Sequence, residues 1–136
     1  MTASVSLHLA AEPRSVGVVR EVCAAALARL GITRDSIDIL KLAVTEAATN
    51  VIDHAESVDD AFDVQIDVVG DWCYVDVVDR GRGFDSQSLT FEAPPAASVR
   101  GRGLSIMRRI VDDVVVSSIV GAGTRVRLAQ QLEFAA

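Results

Sequence analysis

The order of amphipathic segments along the 136-residue chain limits its possible folds more than any other feature. Apolar residues at helical spacing predict three helices: from Pro13 to a stop at Gly31, from Thr33 or Asp35 to about Ala55, and from about Gly101 to Asp112 or Asp113. Alternating or continuous apolar runs predict five strands, at residues 5–9, 62–69, 72–78, 114–120 and 124–128. The resulting order, β-α-α-β-β-α-β-β, predicts an α+β sandwich with its helices on one face of the sheet.

Length and composition exclude several classes of protein. A chain of this length is expected to form one domain, residues 1–136, and a charged fraction of 24% argues against disorder. No apolar run approaches the roughly 18 residues that a membrane span needs, and the first residues do not resemble a signal peptide. Cys23 and Cys73 form no CxxC pair, which argues against a disulfide framework or a zinc site. We therefore expect a compact, soluble, cytoplasmic protein without a membrane partner.

The charge of the chain is unevenly distributed. The net charge of −6 works against binding to nucleic acid, which requires Lys and Arg to displace counterions from phosphates. Residues 80–109, however, hold six arginines against two acidic residues, so this segment carries +4 and the rest of the chain −10. Such a cationic segment is typical of a site for a small anion, although a solvated surface would have the same composition.

Polar residues recur at one-turn spacing on the second predicted helix. Glu46, Asn50 and His54 share one face, while the surrounding positions make much of this helix apolar. Polar groups on such a helix are expected to face a cleft, because burying them unpaired costs several kcal/mol. A carboxylate one turn from a carboxamide suits Mg²⁺, which prefers oxygen ligands. The alternative is that Glu46 and Asn50 are simply exposed.

A second motif follows the third predicted strand. Asp79 comes at the end of that strand and is followed by Gly81 and Gly83 in the segment DRGRGFD. An aspartate at this position can accept a hydrogen bond from the exocyclic amine of a base, and the glycines permit close backbone approach. An ordinary turn would also fit this pattern.

A third motif, RGRGLSI at residues 100–106, opens the last predicted helix. Free N–H groups and the helix dipole make such a terminus an anion site, and Gly101 and Gly103 would let a phosphate approach. Ile106 occupies the third glycine position of a dinucleotide fingerprint, and no GK[ST] sequence of a P-loop is present. Thr124, in the last hairpin, is a weaker candidate for a ligand contact.

In this order the motifs resemble the GHKL-type ATP-binding fold of histidine kinases, gyrase, Hsp90 and MutL. The resemblance is closest to the single-domain branch of bacterial anti-sigma factors that are also serine protein kinases. Residues 42–55, LAVTEAATNVIDHA, are similar to the N box of that branch nearly residue for residue, although Glu56 replaces the aromatic residue that often follows. The resemblance extends to about Leu128. It implies a Bergerat-type, two-layer α/β sandwich whose mixed sheet is mostly antiparallel, with a flexible lid at about residues 85–100. The last residues, 130–136, are expected to form a frayed tail.

The resemblance also implies roles for individual residues in binding ATP and Mg²⁺. Asn50 would hold Mg²⁺, and Glu46 would act as general base or orient the attacking serine hydroxyl. The remaining family positions would bind nucleotide: Asp79 the adenine amine, Gly81 and Gly83 the base pocket, Gly101, Gly103 and Leu104 the phosphates, and Thr124 the adenine side. From the charge count we add that Arg82, Arg100 and Arg102 could offset phosphate charge.

By the same resemblance, the chain is expected to sequester a sigma factor and to phosphorylate a serine of an anti-anti-sigma (STAS-type) antagonist. A homodimer, through the first strand and first helix, is also expected. Two alternatives remain: a non-catalytic, nucleotide-gated binding module, and a fragment of a histidine kinase. The histidine-kinase fragment ranks last, because only about a dozen residues precede the first predicted helix. That is too few for the helical phosphoacceptor hairpin of such an enzyme.

Overall fold

A computed structural model describes residues 1–53, 60–79, 107–119 and 123–136. These ranges contain two helices and five strands with defined bounds: β1 Thr2–Ala10, α1 Pro13–Arg29, α2 Arg34–Asp53, β2 Ala61–Val69, β3 Trp72–Asp79, β4 Asp113–Ile119 and β5 Gly123–Gln131. The strands form one sheet in the order β1-β2-β3-β5-β4, and all four pairings are antiparallel. The predicted α+β sandwich is confirmed. The parallel pair that a mixed sheet requires does not occur among the described strands.

One face of the sheet supplies most of the core. Along β2 and β3, side chains at every second position are buried, as the period of two in a strand dictates. The buried set includes Phe62, Val64, Val75 and Val77, and α2 packs over β3 and β5. An antiparallel sheet commonly packs one face against the core and exposes the other to solvent, and this sheet does the same.

The opposite face carries polar side chains that interact across the strands. Arg125 donates from Nε to Asp76 Oδ1 at 2.9 Å, and this contact raises the pKa of the Arg125 guanidinium. Hydrogen bonds from Ser4 and from Gln65 lower the pKa of the Asp67 carboxyl. No helix in the described ranges is long and apolar enough to cross a membrane.

The helix boundaries differ in detail from the sequence predictions. Gly31 ends α1 as predicted, and its φ of +86° lies in the left-handed region that glycine tolerates. Thr33, rather than Asp35, caps α2, because the Ser36 N–H donates to Thr33 Oγ1 at 3.4 Å. Ala55 and the predicted start at Gly101 lie outside the described residues.

The predicted end of the third helix is wrong. Residues 107–110 are helical, but the helical geometry ends before Asp112, and β4 already begins at Asp113. Asp112 is held by the neighbouring strand: its N–H donates to Gln130 Oε1 at 3.0 Å, and its Oδ2 accepts from the Gln131 N–H at 2.7 Å. These contacts with β5 replace the next helical hydrogen bonds.

The predicted frayed tail at residues 130–136 is also wrong. β5 continues to Gln131, and Leu132 is buried because the strand alternation extends past the predicted end. Three hydrogen bonds then attach the following residues to the connection between α1 and α2 and to the first turn of α2: Thr33 N–H donates to Glu133 O at 2.9 Å, Glu133 N–H to Ser36 Oγ at 3.0 Å, and Ala135 N–H to Gly31 O at 2.8 Å.

The docked C-terminal segment fixes the direction of α2 over the sheet. Ser36, in the first turn of α2, is bonded to Glu133, which lies just beyond the end of β5. Leu132 is bonded to Asp71, which lies just before the start of β3. Because α2 packs over both strands, its last turns lie toward the end of β3 and the start of β5.

Candidate functional site

Asn50 is a buried polar residue in the last turns of α2. Only 5% of its surface is exposed, and it shares the sheet-facing side of the helix with Ala47 and Val51, which are fully buried. The helical period puts these residues on one side, so the sequence places the carboxamide among apolar neighbours. The alternative that Asn50 is simply exposed is therefore wrong.

Asp79 and Thr124 form the second part of the site. Asp79 is the last residue of β3, and Thr124 is its backbone partner near the start of β5. Both point to the helix-covered face, like Val77 and Val126 two positions away, and both are almost completely buried, with 2% and 1% of their surfaces exposed. A carboxylate and a hydroxyl therefore lie side by side at one end of the sheet, where they can recognise a polar ligand.

The direction of α2 brings these two parts to the same end of the molecule. The start of α2 is fastened where β5 ends, so Asn50, four turns further along, lies toward Asp79 and Thr124. Buried polar side chains from three elements thus occur at this end, whereas the core elsewhere is mainly aliphatic. A protein rarely buries so many polar groups together without a structural or functional reason.

Glu46 lies one turn before Asn50 and is half-buried. One turn earlier still, Leu42 is 45% exposed, so Glu46 lies at the boundary between the buried and exposed sides of α2. Its carboxylate therefore remains accessible to a ligand held near Asn50. The structure thus places one carboxylate and one carboxamide at adjacent turns, as the sequence predicted.

Several predicted site residues lie outside the described ranges. They are His54, Gly81, Arg82, Gly83, Arg100, Gly101, Arg102, Gly103 and Leu104, together with the predicted lid at about 85–100. Their roles stay predictions.

Asn50 and Glu46 offer oxygen ligands that suit a metal–nucleotide complex. Within the described ranges, no group of three or more His, Cys, Asp or Glu residues could hold a metal. Mg²⁺ keeps waters and is often bound through one or two protein oxygens plus substrate phosphates. The Asn50 carboxamide and the Glu46 carboxylate can supply such oxygens, and Asp79 can accept a hydrogen bond from a base.

One residue beside the site was missed by the sequence reasoning. Phe62, the backbone partner of Asp79 on β2, is fully buried and belongs to the same inward-facing row. It supplies an apolar neighbour next to the carboxylate. The alternation along β2 signals that Phe62 faces inward, but only the strand register shows that it is paired with Asp79.

Comparisons with known proteins agree with this fold. Residues 9–130 match the histidine kinase-like ATPase domain family. The serine-protein kinase RsbW of Bacillus velezensis is 33% identical over 127 residues, which cover 86% of this chain and 79% of that protein. The anti-sigma F factor of Anoxybacillus flavithermus is 30% identical over 132 residues, covering 93% of this chain and 90% of that protein.

A solved structure shows the same fold. The crystal structure of the RsbU and RsbW domains of a Mycobacterium tuberculosis protein superposes with a TM-score of 0.75 at 21% identity. The match covers 98% of this chain and 34% of that longer chain.

Proposed function

We infer the function from one premise: the chain belongs to the histidine kinase-like ATPase domain family. We propose that it is an anti-sigma factor that binds Mg²⁺-ATP, sequesters a sigma factor and phosphorylates a serine of an anti-anti-sigma (STAS-type) antagonist. The names of its relatives, serine-protein kinase RsbW and anti-sigma F factor, support both activities. The observation that carries the proposal is the burial of Asn50, Asp79 and Thr124 at one end of the sheet.

Asp79 and Thr124 are proposed to recognise the adenine. The Asp79 carboxylate accepts a hydrogen bond from the exocyclic amine, and Thr124, its neighbour in the sheet, supports the same side of the ring. Burial excludes competing water, so the hydrogen bond contributes more than it would at the surface. Gly81 and Gly83 are proposed to shape the base pocket.

Asn50 and the glycines of the RGRGLSI motif are proposed to hold the phosphate end. The Asn50 carboxamide oxygen would hold the metal, while Gly101, Gly103 and Leu104 would line the phosphates. When bound, Mg²⁺ neutralises phosphate charge, which is a main requirement of phosphoryl transfer. From the charge count we propose that Arg82, Arg100 and Arg102 offset phosphate charge.

Glu46 is proposed to activate or orient the serine of the antagonist. As the serine Oγ forms its bond to the γ-phosphorus and the bond from that phosphorus to ADP breaks, the Glu46 carboxylate accepts the hydroxyl proton. Its half-buried position at the boundary of α2 leaves it accessible to a protein substrate. We further propose that the chain acts as a homodimer through β1 and α1.

The test is transfer of labelled γ-phosphate from ATP to the cognate antagonist. We expect Glu46→Gln to lower the transfer rate by about 10²–10⁴-fold, the usual contribution of a general base, while the affinity for an ATP analogue stays within about threefold. Glu133→Gln is the matched control and should transfer normally, because Glu133 is exposed and its hydrogen bonds to Thr33 and Ser36 use backbone atoms.

The outcomes separate the alternatives. An unchanged transfer rate in Glu46→Gln would show that Glu46 has no role in the reaction. Binding of ATP without transfer by the wild-type protein would favour the nucleotide-gated module. A wild-type protein that binds no ATP analogue would contradict the proposal altogether.

A further inference from the structure

A second candidate site lies at the opposite end of α2 from Asn50. An open groove of about 520 Å³ runs between the C-terminal half of α1 and the N-terminal half of α2. Its lining consists of small or aliphatic residues and three charged ones: Ala24, Ala28, Ile32, Ile37, Arg34, Asp38 and Lys41. The proposed ATP site uses none of these residues.

The two cations of the groove have no ion-pair partner within 4.0 Å among the residues that the structure describes. Arg34 and Lys41 differ in this from Arg14 and Arg125, each of which contacts a carboxylate. Among the described residues that line the groove, Asp38 is the only acidic one, so this part of the lining carries a net positive charge in a chain whose net charge is −6. The groove therefore complements an acidic ligand.

The shape of the groove favours a helix as its occupant. Ala24 and Ala28, one turn apart on α1, leave room for a close approach of another backbone. Ile32 is paired with Phe134, which is 42% exposed beside the groove. An exposed aromatic side chain next to an apolar groove is typical of protein-docking surfaces, in which a helix lays its apolar face between two others.

The spacing of the cations defines the complementary pattern. Arg34 and Lys41 are seven residues apart on α2, which corresponds to two helical turns and about 10 Å along the axis. A helix packed along the groove would present carboxylates at the same separation if they were also seven residues apart. We propose that this groove docks an amphipathic helix of a partner protein whose acidic residues recur at that interval.

The first experiment identifies the segment that occupies the groove. The full chain with Ala28→p-benzoylphenylalanine is expressed in its native cell and irradiated, and the cross-linked peptides are sequenced by mass spectrometry. We expect one acidic, helix-forming segment of a single partner. The proposal would be overturned if the only cross-links were to other copies of this chain or to a non-acidic segment, or if no cross-link formed.

The second experiment measures the charge dependence with the identified partner in purified form. We expect the double variant Arg34→Glu/Lys41→Glu to weaken binding at least tenfold, because two attractive contacts become repulsive. Arg108→Glu/Arg109→Glu, which changes the same charge at exposed positions elsewhere, should bind within about twofold of wild type. Equal binding by wild type and the groove variant would contradict the inference.

Binding of an ATP analogue separates this inference from the proposed function. The groove variant should retain wild-type affinity for the analogue, because Lys41 lies nine residues and Arg34 sixteen residues before Asn50 on α2. Loss of partner binding with normal nucleotide binding supports the groove, whatever the kinase assay shows. Parallel loss of both would indicate a general structural defect and overturn the assignment.

Discussion

Replacing Asp79 by Asn should change the base preference of the protein. Asp79 is 2% exposed, so the hydrogen bond that we propose to adenine forms in a site without competing solvent. A hydrogen bond to a charged group contributes about 1.5–3 kcal/mol, which corresponds to about a 10–150-fold change in Kd. Asn has the same shape but no charge, and its NH₂ group can donate to a carbonyl.

Calorimetry with ATP and inosine triphosphate measures this preference. The inosine ring has a carbonyl where adenine has its amine, so the wild-type carboxylate would face an oxygen. We expect the wild type to prefer ATP by at least about tenfold and Asp79→Asn to reduce that ratio to within a few-fold. Asp63→Asn is the matched control: Asp63 lies on the solvent-facing side of β2, where it contacts His8 Nδ1 at 2.6 Å.

An unchanged preference in a folded Asp79→Asn variant would refute the proposed role of Asp79. Because the residue is buried, thermal unfolding of the variant is measured in parallel. A loss of affinity for both nucleotides by the same factor would also count against base recognition, since it would indicate general damage to the site.

Three further predictions concern stability. Gly17→Ala, inside α1, should raise the free energy of unfolding by about 0.5–1 kcal/mol in urea titrations, because Ala has a higher helix propensity than Gly. The added Cβ would lie 3.7 Å from its nearest neighbouring atom, so it fits without a clash, and destabilisation would show that the glycine is needed there. Ser36→Ala should lower that free energy by about 1–3 kcal/mol, because the Glu133 N–H loses its acceptor; an unchanged value would mean that the C-terminal contact contributes little. Burial raises the pKa of Cys23 and of Cys73 from 9.0 to about 12, so the unfolded state loses its thiol protons first and stability should fall as the pH rises from about 9 to about 12. Substituting both cysteines by Ala should flatten that part of the pH profile, and a profile that stays the same would contradict this cause.

The helices and strands with periodic apolar residues were predictable, because the spacing of those residues gives both the type of element and the side that is buried. The alternation around Phe62 and the helical spacing around Ala47 are local properties, and both indicated the correct element and its buried side. Asn50 could be placed on the correct turn, but helical spacing alone left its exposure open. Its burial depends on how α2 lies over β3 and β5, which the sequence does not specify locally.

The errors occurred where tertiary contacts override local composition. The residues after Leu128 include Gln130, Gln131 and Glu133, yet Leu132 is buried and the hydrogen bonds of Glu133 attach this segment to Thr33 and Ser36. The sequence predicts Asp112 at the end of the third helix, but hydrogen bonds to Gln130 and Gln131 hold it beside β5, just before β4 begins. The pairing of Asp79 with Thr124, separated by 45 residues, likewise follows from strand register rather than from either motif.

A crystal structure with Mn²⁺ and a non-hydrolysable ATP analogue tests the central claim most directly. We predict an anomalous peak at coordination distance from the Asn50 carboxamide oxygen, and the adenine amine within hydrogen-bond distance of the Asp79 carboxylate. Nucleotide bound elsewhere, or crystals that stay empty at saturating analogue, would contradict the account.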